Sequence, residues 1–249
     1  MANHIYCELL KLKRSKMVLI TVLGALVTPV FIFILHLTMQ YRQPDAVLEM
    51  TAFYDAALLF TMLMFGPIVY VVITTYLFSR EYTENTLKTI LTVPVNKLTF
   101  ILGKFSMLFI CIIFLTAITW LGVSIFTVIF HAIFGLSEFS ATLAIRFLGK
   151  MLIGGTLMFL TITPFAFLAI WTKGFVVPLI TAATVVLGNM MVVNSDLGEL
   201  FPWVASFFLV ADEIELLVHP FPLVVGLIVT VFILGFALSV YYFQREDIQ

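Results

Sequence analysis

The chain has 249 residues, of which 62% are hydrophobic and 11% charged, with a net charge of −1 and a mean hydropathy of +1.16. A soluble domain carries about 45–50% apolar and about 25% charged residues, and this much apolar surface does not fit inside a water-soluble globule. The composition excludes a soluble enzyme, a disordered chain and a nucleic-acid binder with a basic face, and it predicts an all-α integral membrane protein that crosses the bilayer several times.

Residues 1–16 lead in. Ile5, Leu9 and Leu12 fall on one helical face, and Lys11, Lys13, Arg14 and Lys16 follow. This pattern predicts a short interfacial helix along the inner leaflet, with its cations near anionic headgroups.

Six apolar stretches come next: 17–39, 56–78, 105–130, 147–171, 175–193 and 223–243. Each has about the 20 residues that cross about 30 Å of hydrocarbon as a helix. None alternates with period 2, so a transmembrane barrel is not indicated. The first is about twice a typical signal-peptide core and no small-x-small site follows it, so it reads as retained.

Orientation follows from the cations of the short loops. With both termini cytosolic, ten of the 13 Lys and Arg residues lie inside, and only Arg42, Arg146 and Lys150 lie outside. The reverse topology inverts that ratio.

The loop 79–98 is the longest cytosolic connection. Leu87, Ile90 and Leu91 make one helical stripe, Glu84 precedes Lys88 by four residues, and Pro94 ends the run. A short amphipathic helix over 84–92 is expected, too short to stand alone. It needs a bilayer or a partner protein to pack on.

The outer segment 194–222 contains an apolar piece, 197–211, that is too short to cross and reads as re-entrant. Pro202 interrupts it, and Asp212, Glu213 and Glu215 follow as an acidic cluster. Arg146 and Lys150 stand one turn apart at the outer end of the fourth stretch. These five charges are the candidates for an outer gate or substrate contact, with interfacial anchoring as the simpler reading.

Other chemistry is missing from the sequence. There is no phosphate-binding G-x-x-x-x-G-K-[ST], no H-E-x-x-H, no C-x-x-C and no G-x-S-x-G. The two cysteines imply no disulfide framework, the four histidines are scattered, and no metal site is expected. No acidic residue sits at mid-span, where a charge is costly and usually functional. That argues against an ion-coupled transporter.

These features together resemble the permease subunit of an ABC-2-type ATP-binding cassette transporter. The most specific residues are Arg80-Glu81-Tyr82-Thr83-Glu84-Asn85-Thr86-Leu87-Lys88, followed by Val93-Pro94-Val95. They are similar to that family's R-E-x-x-x-G-T-L…S-P-V segment, whose short helix docks on the ATPase. Asn85 stands where glycine is usual, and Val93 replaces a serine. Asn tolerates left-handed backbone better than other non-glycine residues.

The resemblance implies a single permease domain over 1–249, itself not an enzyme and without a cofactor. ATP and Mg would belong to a separate ATPase, present in two copies. It implies a second permease chain, identical or a sister, around a path lined by spans one, two and five. Arg80, Glu81, Tyr82, Glu84, Asn85, Thr86, Leu87, Lys88, Ile90 and Leu91 would couple to the ATPase. Glu81 and Glu84 would meet its polar groups, and Leu87 and Ile90 would fill its apolar groove. Small six-span members include bacitracin-type resistance exporters, lantibiotic immunity systems and exporters of peptide toxins, so the implied function is export of amphipathic peptides or lipophilic antibiotics across the plasma membrane. A non-transporting immunity or sensor protein that sequesters peptide at the outer face is the alternative.

Overall fold

The computed structural model describes residues 2–13, 15–44, 47–84, 97–211 and 218–245. Helix α1 (Ala2–Lys13) and α2 (Lys16–Arg42) are followed by α3 (Met50–Phe60), a π turn (Thr61–Phe65) and α4 (Gly66–Thr83), which run on as one rod. Then come α5 (Lys97–Phe134), α6 (Ala141–Thr172), α7 (Val176–Val192), a 3₁₀ turn (Gly198–Leu200), α8 (Pro202–Phe208) and α9 (Phe221–Arg245). Among the described residues the only β pairing is an isolated bridge, Glu49 with Ser137, which staples the segment before α3 to the segment before α6.

The long helices follow from apolar runs whose backbone groups are satisfied internally, as lipid demands. Their ends carry local signals. Ser15 Oγ accepts from Met17 N at 3.0 Å and opens α2. Ser140 Oγ does the same for Thr142 N at 3.3 Å and opens α6. Lys173, with φ of 53°, closes α6 in the left-handed conformation.

Among the described residues, five helices are long and apolar enough to cross a membrane: Lys16–Arg42, Met50–Thr83, Lys97–Phe134, Ala141–Thr172 and Phe221–Arg245. They overrun the predicted stretches. The 38 residues of α5 reach about 57 Å, well past about 30 Å of hydrocarbon, because hydropathy marks only the lipid-facing part of a helix. The fifth predicted stretch, 175–193, forms α7, which has 17 residues and spans about 25 Å. The segment behind it folds back: α8 starts at Pro202, a residue suited to the first helical turn, and buries Val204, Ala205, Ser206 and Phe207.

Small residues set the crossings. α6 and α9 make the most extensive contact, and a methyl group at Gly235 would run into Thr163 and the Pro164 backbone. At the α2–α5 crossing, a Cβ on Gly122 would stand 2.7 Å from Pro29 Cγ. Without a hydrophobic drive inside lipid, such close backbone approach is what packs helices.

The ends of the bundle differ. One collects α1, the end of α4, the start of α5, the α6–α7 turn and the end of α9: Lys97 Nζ donates to the Gln244 carbonyl at 3.1 Å, and Lys173 Nζ lies 5.5 Å from the centre of the Tyr82 ring. Both described ends of the chain therefore meet the end that carries the 79–98 loop. The other collects the α2–α3 and α5–α6 loops and α8.

Candidate functional site

The site sits where the 79–98 loop leaves α4 and returns into α5. Glu81 is two residues from the end of α4, and Lys104 is two turns into α5. Lys104 Nζ donates to Glu81 Oε2 at 2.6 Å and also to the Leu77 carbonyl. α1 lies across this junction. Lys11 Nζ donates to Glu8 Oε1 at 2.8 Å and to Glu81 Oε1 at 3.3 Å, while Glu8 Oε2 is 4.0 Å from Lys104 Nζ. The Phe100 ring lies 5.2 Å beneath the Lys104 ammonium.

The four charges balance, two carboxylates against two ammoniums. Three of them are dry: Glu8, Glu81 and Lys104 are 5%, 2% and 3% exposed, while the Lys11 side chain is 35% exposed. Taking one charge out of water costs several kcal/mol, so each group persists because the other three neutralise it. Burial opposes the charge on Lys11, but the Glu8 hydrogen bond and the fields of Glu8 and Glu81 outweigh it and hold its pKa above the ordinary lysine value. The cluster therefore locks three elements into one unit: the N-terminal helix, the outgoing arm of the loop and its returning arm. It can carry a displacement of the loop into the bundle; it contains no nucleophile–base pair. Among the described residues no group of three or more His, Cys, Asp or Glu side chains could hold a metal ion.

Residues 4–190 match the ABC-2 family transporter protein family. The chain belongs to that family. It is 30% identical to the bacitracin transport permease protein BCRB of Bacillus licheniformis over 207 residues, which are 83% of this chain and 97% of that protein. No solved structure matches it. The chain is thus a multi-pass membrane permease of the ABC-2 type, and the family implies an ABC ATPase as its partner.

Of the expected coupling residues of this permease, the structure describes four. Arg80 Nε donates to Glu84 Oε1 at 2.9 Å across one exposed turn. Tyr82 receives Lys173 on its face. Glu81 points inward to Lys104 and Lys11, with no solvent-facing surface to offer a partner. Asn85, Thr86, Leu87, Lys88, Ile90 and Leu91 lie outside the described residues, as does the helix expected over 84–92 apart from Glu84.

Sequence reasoning missed Glu8 and Lys104. Lys104 counted only as an inside cation, and Glu8 was not singled out. The available signal is Glu8 three residues before Lys11, the one carboxylate in an N-terminal segment whose other charges are cations. The expected Ile5–Leu9–Leu12 stripe is split: Leu12 is buried beside Glu8, whereas Leu9 is 44% exposed together with Tyr6 and Leu10. Charge pairing, not hydropathy, turns α1 toward the bundle and leaves those apolar side chains facing away from it.

At the end of the bundle opposite the 79–98 loop, Glu199 carries the order. Its carboxylate accepts from the backbone N–H of Val218 at 2.7 Å and of His219 at 2.9 Å, and its Oε2 lies 3.1 Å from His219 Nδ1. Burial opposes ionisation, but these three contacts outweigh it and hold the Glu199 pKa below the usual carboxylate value. Arg146 is exposed, and Lys150 Nζ sits 4.7 Å from the Phe147 ring centre. Asp212, Glu213 and Glu215 lie outside the described residues. His36, stacked on Phe53 at 3.8 Å, and His131, which accepts from Leu136 N at 2.9 Å, are both satisfied within the chain.

Proposed function

We propose that this chain is the permease subunit of an ATP-driven exporter that moves amphipathic or antimicrobial peptides, or lipophilic antibiotics, out of the cell or its membrane. Two ATPase subunits, holding ATP and Mg, bind at the 79–98 loop, and a second permease chain, identical or a sister, completes the path. The protein lies in the plasma membrane with both termini cytosolic. A single observation carries this reading: the buried Glu8–Lys11–Glu81–Lys104 cluster joins both arms of the loop to α1. A push on the loop then moves α1, α4 and α5 together rather than bending the loop alone.

Six crossings agree with the connectivity. Five long helices would leave the chain ends on opposite sides, whereas α1 and the end of α9 both meet the start of α5. The short α7 supplies the missing crossing, lengthened at its outer end by the re-entrant segment. The relative's name, a bacitracin transport permease, supports an antimicrobial peptide or antibiotic as cargo.

Co-purification tests the reading. An ATPase subunit encoded beside this chain should elute with it and be lost with Leu87→Asp, while the variant remains monodisperse. Expression of both subunits should raise tolerance to bacitracin-like peptides. Intact wild-type chain that elutes without an ATPase would overturn the proposal.

A further inference from the structure

The second long rod is not uniformly α-helical. At Thr61–Phe65 it widens into a π turn, closed by the Gly66 N–H donating to the Thr61 carbonyl five residues back. Such turns are rare and cost regularity, so one inside a membrane rod calls for a cause. Three features hold it. Gly66 is one: any Cβ there would collide with the Thr61 carbonyl oxygen. Pro67 is the second, because it has no N–H for the Leu63 carbonyl four residues before it. Asn189 is the third. It is fully buried on α7, and its Nδ2 donates to that Leu63 carbonyl at 3.0 Å. The re-entrant α8 and α7 both pack on the turn.

A second observation is independent of the turn's geometry. Five buried side-chain polar atoms among the described residues lack a partner, and three of them, Thr61 Oγ1, Thr75 Oγ1 and Ser79 Oγ, lie on this rod. A fourth is Asn189 Oδ1. Buried polar groups are normally satisfied. They concentrate on one rod, at its π turn and on the half that runs to the 79–98 loop, and this arrangement leaves them unpaired.

We infer that the Thr61–Pro67 segment is a two-state hinge, and that Asn189 is the positioning residue that holds it in the wide-turn state. In the other state the extra residue is taken up into α-helix with a kink at Pro67. α4 then turns about 100° and slides about 1.5 Å relative to α3. That rotation carries Glu81 away from Lys104 and Lys11 and brings Arg80 toward them, so the kinked state requires the cluster at the root of the 79–98 loop to open, and this ties movement at the loop to the segment resting on the turn. The link to transport rests on the permease reading above; the hinge itself does not.

The change of register is measurable. In the wide-turn state Val69 faces Gly24 of α2, where a Cβ on Gly24 would be 3.0 Å from Val69 Cγ2. In the kinked state Ile68 takes that place. The experiment uses the full chain in lipid vesicles, with Cys7 and Cys111 replaced by serine, and compares disulfide formation for Gly24→Cys with Val69→Cys and for Gly24→Cys with Ile68→Cys. The first pair should cross-link in the otherwise unaltered chain. Adding Gly66→Ala, or separately Asn189→Leu, should move cross-linking to the second pair. Cross-linking that stays at position 69 in both variants overturns the hinge. Loss at both positions also overturns it, because the turn would then hold the fold rather than a register. If the register moves but the assembled complex shows no ATP-dependent transport, the hinge stands and the transport reading fails.

Discussion

Glu81 and Lys104, 23 residues apart in sequence and joined at 2.6 Å, close the base of the loop that separates them. Neither charge is tolerable there without the other. Removing one leaves the remainder of the cluster with a net buried charge, which typically costs about 3–5 kcal/mol. Lys104→Met alone should therefore lower thermal stability sharply in detergent. Lys104→Met combined with Glu81→Gln removes one charge of each sign and should recover most of the loss. A double-mutant cycle on melting temperature gives the coupling; additive losses would show that the two side chains do not act as a pair.

The outward-facing pair one turn away behaves differently. Arg80 and Glu84 are bonded at 2.9 Å but lie on the surface, where such an i,i+4 pair is worth about 0.3–0.5 kcal/mol. Glu84→Ala should leave expression and melting nearly unchanged. If Glu84 contacts the ATPase, the same variant lowers ATP-driven transport in the assembled complex. Equal transport in wild type and variant would remove Glu84 from the coupling surface.

Much of the fold is legible from hydropathy, because lipid forces every long apolar run to be a helix. The stretches 17–39, 105–130, 147–171 and 223–243 each lie within a long helix. What hydropathy does not carry is everything set by partners across the bundle. The π turn follows from Gly66-Pro67, which lies inside the apolar stretch 56–78, and from Asn189, 122 positions beyond Pro67. The ionic cluster follows from Glu8 and Lys104, each unremarkable alone. Of the site, the R-E segment carries Glu81 and Glu84, but only the three-dimensional pairing shows that Glu81 faces inward while Glu84 faces out.

The tightest helix crossing makes a packing prediction. Gly235 on α9 abuts Thr163 and the Pro164 backbone on α6, and Thr163 Oγ1 donates to the Phe232 carbonyl at 3.3 Å. A methyl group at 235 meets backbone, which cannot swing aside. Gly235→Ala should destabilise by about 1–3 kcal/mol, the usual range for overpacking, whereas Gly226→Ala on the same helix has open space and should be nearly neutral. Comparing the two melting temperatures checks the claim with helix propensity held constant.

The outer segment should respond to acid. The pKa of Glu199 is depressed in the folded chain, so its contribution to stability is present at neutral pH and is lost as pH falls through that lowered value, below the usual carboxylate range. Protonation weakens an acceptor that serves the Val218 and His219 amides, and the segment around α8 loosens from the start of α9. Hydrogen exchange reads this directly. Corrected for intrinsic rate, protection of the Val218 and His219 amides should be high at pH 7 and should drop in strong acid. Glu199→Gln keeps one acceptor but removes the charge, so its protection should be lower at pH 7 and flat across the titration. A wild-type profile as flat as the variant's would show that the carboxylate charge does not hold the segment.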